Sequence, residues 1–289
     1  MKYAIQRCCT TPVVLKQYET STNAVLKHLG VEFVDIKEFN CCGYPLKNID
    51  NKAHMLCSAR NLALAERENL DILTFCNCCF GTLKRVNYYL GEEAPLREEI
   101  NRALAGDGLK YQGGVRVRHL LEVLYEDIGV DVIRERCVKN FSGLKIATHY
   151  GCHILRPREI IQFDNPIAPT IFDNLVQLTG ADSIPWSRKL DCCGSAIWGI
   201  DDTLSMDLVE KKVSDARRSG ADYLCTACPY CQLQFDTVQK ILVSERDEVQ
   251  PVPSILFTQL LGLCLGLDDQ ALGLEQNTLD VTGITKFLQ

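Results

Sequence analysis

The sequence has no apolar run long enough to cross a bilayer. Its longest, Ser254–Leu267 (SILFTQLLGLCLGL), falls short of the ~20 residues a span requires and carries Gln259. The opening MKYAIQRCC lacks the long apolar stretch of a secretory signal. Excess positive charge is missing as well. Lys and Arg number 31 against 37 Asp and Glu, a formal charge of −6 that argues against a nucleic-acid surface. No G-x-G-x-x-G follows a strand-like run, so a dinucleotide site is not supported. The C-x2-C-x2-C run that holds a common ferredoxin cube is absent too. These absences predict a soluble, cytoplasmic protein with neither nucleic acid nor membrane as partner.

What the chain has in quantity is cysteine, 16 in 289 residues. A secreted disulfide scaffold is usually short and loop-rich, whereas this chain is long and 46% apolar, ample for a packed core. In a reducing cytosol so many thiols point to metal ligation or redox chemistry. Length allows one large domain or two of about 150 residues.

The cysteines are written twice. Cys9, Cys41-Cys42-Gly43 and the C-x-x-C pair Cys76/Cys79 are followed by Cys152, Cys192-Cys193-Gly194 and the pair Cys228/Cys231. The interval from Cys9 to Cys41 is 32 positions and from Cys152 to Cys192 it is 40; Cys42 to Cys76 is 34 and Cys193 to Cys228 is 35. The segments between them repeat as well. KYAIQRC pairs with LKIATHYGC as strand into cysteine, and TNAVLKHLG with FDNLVQLTG as helices ending at glycine. A longer helical pattern follows each CCG, then DILTFC or DYLCTAC as a buried strand, then a last strand–helix pair. Strands alternating with helices imply parallel sheets. The predicted fold is α/β, with two pseudo-symmetric Rossmann-like halves. The first spans 1–140, with an insertion at about 91–114, and the second spans 141–289, the division falling near VKNFSG at 138–143.

Loops at the carboxyl ends of parallel strands gather at one crevice. Helix N-termini aimed there favour thiolates. A structural zinc closes its shell with four ligands, and a thioredoxin-like C-x-x-C needs only two. Five converging cysteines per half suit a larger or irregular iron–sulfur cluster at the strand ends, and spacing favours iron–sulfur over zinc.

The pattern C-x31-CCG-x32-C-x2-C followed by C-x39-CCG-x33-C-x2-C resembles the tandem CCG domains in the B component of heterodisulfide reductase. MKYA, SARNLALAE, HYGCHILRP, TACPYCQLQFD and LLGLCLGLDDQALGL carry the resemblance almost end to end. It implies two non-cubane [4Fe-4S] clusters. Cys9, Cys41, Cys42, Cys76 and Cys79 would hold one, and Cys152, Cys192, Cys193, Cys228 and Cys231 the other. The implied reaction is reduction of a small-molecule disulfide, the coenzyme M–coenzyme B heterodisulfide, to two thiols. Opening a disulfide takes two electrons while an iron–sulfur cluster usually passes one, so two clusters match the count. Two partner subunits are implied, one a ferredoxin-like iron–sulfur protein (C type) and the other flavin-containing (A type). The complex they form often includes a hydrogenase or formate dehydrogenase. A related role keeps the clusters but acts on another disulfide or only relays electrons. A different alternative is a zinc-stabilised scaffold.

Other residues near the motifs carry competing readings. His153 could give a proton to a leaving thiolate or hydrogen-bond a cluster sulfide or backbone; for His149 the second role is favoured. Arg60 and Lys212 sit 18 residues after Cys42 and 19 after Cys193. Each could balance an anionic cluster, contact a sulfonate or phosphate, or be a solvated helix cation. Lys212 is the stronger candidate for a catalytic role, and Arg60 and Arg156 are the candidates for substrate contact. Cys57 and Cys264 fit core packing. Cys8, Cys78 and Cys225 adjoin ligands, and a register error would exchange one of them for its neighbour. Trp186 and Trp198 bracket the second CCG, as a cluster shield or as ordinary core.

Overall fold

Two four-stranded parallel sheets share one strand order in the computed structural model, which describes residues 1–289. The first sheet is β2-β1-β3-β4, from β1 (Lys2–Gln6), β2 (Glu32–Val34), β3 (Asp71–Thr74) and β4 (Val117–His119). The second is β6-β5-β7-β8, from β5 (Lys145–His149), β6 (Asp182–Ser183), β7 (Tyr223–Thr226) and β8 (Ser254–Leu256). Register repeats with order: Gln6 lies opposite Thr74, and His149 opposite Thr226, at the last residue of each strand. The central strands are buried on both faces, which is why they read as apolar runs rather than as alternation.

The longer helices of the first half that position the site are α1 (Lys16–His28), α2 (Asn51–Arg67), α3 (Asn77–Glu92) and α4 (Ala94–Leu104). Those of the second half are α5 (Ile171–Leu178), α6 (Asp202–Arg218), α7 (Pro229–Leu233) and α8 (Phe257–Cys264), with shorter helical turns between them. The helix after each CCG begins the same way. Asp50 accepts from the Ala53 N–H, and Asp201 from the Leu204 N–H, each at 3.0 Å. Helix α4 fills the 91–114 stretch, packs on α2 and α3, and has no counterpart in the second half.

The halves are laced together by their last helices. Helix α8 packs on α1, where the Ser21 and Thr258 hydroxyls meet at 2.7 Å. The helical stretch after β4 packs on α5, and the Asn174 amide donates to the Tyr125 hydroxyl at 3.3 Å. The buried apolar side chains of both halves form one continuous cluster, so the repeat is a single packing unit. The chain end returns to the middle, where Leu288 bridges to Phe141.

Candidate metal centres

Every cysteine of the two repeats lies at the carboxyl edge of a sheet. β1 ends at Gln6 and runs into Cys8 and Cys9; β3 ends at Thr74 and runs into Cys76, which caps α3 and leaves Cys78 and Cys79 in its first turn. β7 ends at Thr226 and runs into Cys228, which caps α7, with Pro229 opening that helix. The CCG glycines are required by geometry. Gly43 and Gly194 have φ of +87° and +90°, and a Cβ would stand 2.7 Å from the His54 carbonyl or 3.0 Å from that of Ser205. Both clashing carbonyls lie 11 residues beyond their glycine, so the same turn folds over the same helix twice.

The thiols form chains of contact. In the first half Cys9 touches Cys41, Cys41 touches Cys42, Cys42 touches Cys79 and Cys79 touches Cys76. In the second, Cys152 touches Cys192, Cys192 touches Cys193, Cys193 touches Cys231 and Cys231 touches Cys228. The halves meet through Cys228, which contacts both Cys76, its own counterpart, and Cys78. Hydrogen bonds from Cys152, then Cys193, pull the Cys192 thiol far below its ordinary range. Burial alone pushes Cys225 up, as expected for an inert core thiol.

All five expected cysteines of the second set line one cavity. Its other walls include Tyr44, Asn77 and Cys78 from the first half and His153, Ser195 and Tyr230 from the second. The first set is arranged differently. Cys8, buried, groups with Cys76 and Cys79, their sulfurs mutually within 4.8 Å. Cys9 and Cys41 are exposed and border an open cleft with Arg7, Asp35 and Lys37.

Position three of each C-x-x-C crosses to the other half. The Cys78 sulfur lies 3.5 Å from His153 Nδ1, and the Tyr230 hydroxyl 3.9 Å from the Cys9 sulfur. Tyr44, in the loop after the first CCG, packs edge-on to His153 with ring centres 5.0 Å apart. Asn77 donates to the Tyr150 carbonyl at 2.7 Å, close enough that a Cβ on Gly151 (φ +78°) would meet its Nδ2 at 2.5 Å. Sequence reading set Cys78 aside and missed Tyr44, Asn77 and Tyr230. The equal placement of Cys78 and Tyr230 within the two motifs was the available signal.

The remaining candidates sort by what they touch. His153 lines the cavity, with Nδ1 3.5 Å from Cys152 as well as from Cys78, and burial lowers its pKa. Lys212 is buried behind the second CCG. Its ammonium donates to the Arg188 carbonyl and, at 3.1 Å, to that of Asp191, over the Trp186 ring at 4.8 Å. Burial lowers its pKa to about 8. Arg60 does the equivalent in the first half, donating to the Glu38 carbonyl, to Asn40 Oδ1 at 3.2 Å and to Asp107 at 3.0 Å. Each cation therefore staples the segment that runs into its CCG, and neither lines the cavity. Arg156 is exposed, and its carbonyl accepts from Arg85. Trp186 donates to the Thr148 carbonyl at 2.9 Å, part of the packing behind the site.

His149 is the test of whether an inorganic cluster fits. It is 1% exposed, packs on Phe235, and neither ring nitrogen has a hydrogen-bond partner. Burial keeps it neutral, and it stands within 4.8 Å of the Cys193 and Cys231 sulfurs. Asn77 Oδ1 and Ser195 Oγ at the cavity are orphaned too. Orphaned buried donors are costly unless something answers them, and sulfide in a cluster is an acceptor suited to the His149 N–H and the Ser195 hydroxyl, though not to the Asn77 carbonyl oxygen. Gln6, the counterpart of His149, is satisfied: Asn61 donates to its Oε1 at 2.8 Å, and its own amide donates to the Asn40 and Arg7 carbonyls.

The chain matches the cysteine-rich domain (CCG) family twice, over residues 3–84 and 146–236. It belongs to that family, as a tandem chain of the heterodisulfide reductase B type. A Methanosarcina acetivorans relative, the B component of a ferredoxin/F420H2-dependent CoB-CoM heterodisulfide reductase, is 34% identical, the match covering 96% of this chain and 94% of the relative. The membrane anchor subunit of an 8-methylmenaquinol:fumarate reductase from Wolinella succinogenes is also 34% identical, over 95% of both chains. No helix of this CCG chain is long and apolar enough to cross a membrane. A Helicobacter pylori crystal structure of a hypothetical protein shares the fold, with a TM-score of 0.79 and 14% identity over 98% of this chain and 52% of that one. The duplicated α/β fold expected from the sequence is the one observed, and the cysteine groups of the tandem CCG chain support iron–sulfur binding.

Proposed function

We propose that this chain is the disulfide-reducing subunit of an electron-transfer complex and acts on a small-molecule disulfide, the coenzyme M–coenzyme B heterodisulfide. The observation that carries the reading is the cavity in which Cys152, Cys192, Cys193, Cys228 and Cys231 meet a wall donated by the other half. Two non-cubane [4Fe-4S] clusters, held by those five cysteines and by Cys9, Cys41, Cys42, Cys76 and Cys79, would supply single electrons. The contact of Cys76 with Cys228 supports two centres close enough to serve one bond.

The chain's own residues then have definite tasks. His153 offers a ring nitrogen beside two thiols, where a product sulfur needs its proton. Arg60 and Lys212 act as positioning residues that fix the backbone entering each CCG. Tyr44 and Tyr230 close the cavity with apolar rings. The open cleft beside Cys9 and Cys41 suits docking of a ferredoxin-like electron donor. That donor would itself be supplied by a flavin-containing protein and, in a larger assembly, a hydrogenase or formate dehydrogenase. The Wolinella relative favours a second reading, in which this chain passes electrons within a complex of different chemistry.

Iron and acid-labile sulfide in anaerobically prepared protein should be near-equal and abundant; zinc in their place would sink the reading. Anaerobic turnover of the mixed coenzyme disulfide, with none in the relay reading, separates the two roles. Within the first centre, Cys9→Ala should remove about half the iron while Cys8→Ala retains it. The reverse result would move that ligand position to the buried Cys8.

A further inference from the structure

Two equivalent pairs of side chains are used differently in the two halves. Gln6 and His149 end equivalent strands, and Asn61 and Lys212 each stand 19 residues past the second cysteine of a CCG. Asn61 donates to the Asn40 carbonyl at 2.8 Å and Lys212 to the Asp191 carbonyl at 3.1 Å, in each case the residue just before the CCG. In the first half the pair closes on itself, the Asn61 amide donating to Gln6 Oε1 at 2.8 Å. In the second half it does not. His149 keeps both ring nitrogens unpartnered, and Lys212 is 1% exposed with no carboxylate in ion-pair contact. The Asp191 carboxylate, which attracts Lys212, is held by Arg188 at 2.9 Å. The Lys212 charge is felt at His149 and at Cys192, Cys193 and Cys231.

Cations near the first set are answered by acids. Arg7 pairs with Glu19 and, at 2.6 Å, with Asp35, and Arg60 pairs with Asp107 at 3.0 Å. His119, the other imidazole with a free buried nitrogen, is enclosed by Phe80 and Phe163, with ring centres 5.4 and 6.2 Å away. Unpartnered hydroxyls occur in both halves, at Thr11, Tyr18 and Thr22 in the first and Ser195 in the second. Water also stabilises added negative charge, but Cys41 and Cys192 are both exposed, so solvent favours the first set only through Cys9 against the half-buried Cys152. The unpaired buried cation beside a free imidazole belongs to the second set alone.

Hydrogen bonds to sulfur and the charge around it set how readily an iron–sulfur centre accepts an electron. A buried charge is also little screened by salt. We propose that His149, donating to sulfur beside Cys193 and Cys231, and Lys212, a fixed positive charge behind them, make the second centre the more easily reduced of the two. This ordering rests on the presence of two iron–sulfur centres, not on which disulfide is reduced. Reducing equivalents are then held on the cavity side, away from the open cleft beside Cys9 and Cys41.

The test is a potentiometric titration of anaerobic holoprotein with dithionite, each centre followed by electron paramagnetic resonance and the iron and sulfide assayed. The signal lost in Cys193→Ser marks the second centre, which in wild type should be reduced at the higher potential. His149→Phe keeps a ring against Phe235 but has no N–H, and Lys212→Met keeps the stem without the charge. Each should weaken the one-electron reduction equilibrium of that centre about tenfold, a fall of about 59 mV, and leave the other signal in place. His149→Gln and Lys212→Arg should restore it. A wild-type second centre reduced at the same potential as the first, or a lower one, overturns the ordering. Loaded variants whose signals do not move, or move together, overturn the roles of His149 and Lys212. Should Lys212→Met lose its iron, the wild-type order and His149→Phe decide. Protein without iron and sulfide sinks the iron–sulfur reading and the ordering with it, whereas failure in loaded protein sinks the ordering alone.

Discussion

Cys193→Ser will cost the protein about half its iron and sulfide and slow disulfide turnover by at least about a hundredfold. Cys193 is buried between Cys192 and Cys231, within 4.8 Å of the orphaned His149 ring, so its loss is not answered by a neighbour. Serine is a poor ligand at neutral pH, because its hydroxyl stays protonated where a thiol ionises readily. Disturbing groups that merely orient metal ligands costs about 10–100-fold, and removing a ligand should cost more. Stability should fall with the metal, since ligand binding and folding are coupled. Cys225→Ala is the control. Cys225 is equally buried, one strand position from the cavity loop, and touches no other thiol. It should keep its iron and lose only packing energy. Full iron and sulfide in Cys193→Ser, measured beside that control, would remove Cys193 from the ligand set.

Gly151→Ala should lower the melting temperature by about 10 °C and weaken the same centre from its other side. Two costs combine. The φ of +78° disfavours any Cβ, by about 1–2 kcal/mol, and that Cβ would stand 2.5 Å from the Asn77 nitrogen. Asn77 would have to release the Tyr150 carbonyl, a buried hydrogen bond worth about 1–3 kcal/mol when left unmade. The sum, about 2–5 kcal/mol, is large beside a total stability of about 5–15 kcal/mol. At about 2–4 °C per kcal/mol it produces the expected shift. Gly220→Ala separates the causes, because Gly220 has φ +83° with open space around its missing Cβ. Equal losses in the two variants would mean that the contact between the halves contributes nothing.

Much of this architecture was legible because duplication prints it twice. Paired intervals between cysteines placed the strands, and apolar runs without alternation marked parallel sheets buried on both faces. The glycine after each cysteine pair was expected at a turn, and it occupies one with positive φ. What stayed hidden depends on contacts between the halves or on backbone partners. Nothing in the helical pattern around Arg60 or Lys212 says that each reaches back to carbonyls more than 20 residues away. Cys78 looked like a neighbour of ligands because its partner, His153, is 75 residues distant. Cys8 and Cys9 are adjacent in sequence, yet a strand end sends one inward and the other to the surface. No periodicity distinguishes them.

The contact between Cys76 and Cys228 joins equivalent positions, which is possible only near an axis relating the two copies. A chain of half this length would complete the same face only by dimerising with itself, and would be held to identical residues on both sides. Joining the copies in one gene replaces that concentration-dependent encounter by a tether. It also releases each position from its twin. Gln6, saturated with hydrogen bonds, and His149, with both nitrogens free, show how differently equivalent positions are used within a single molecule.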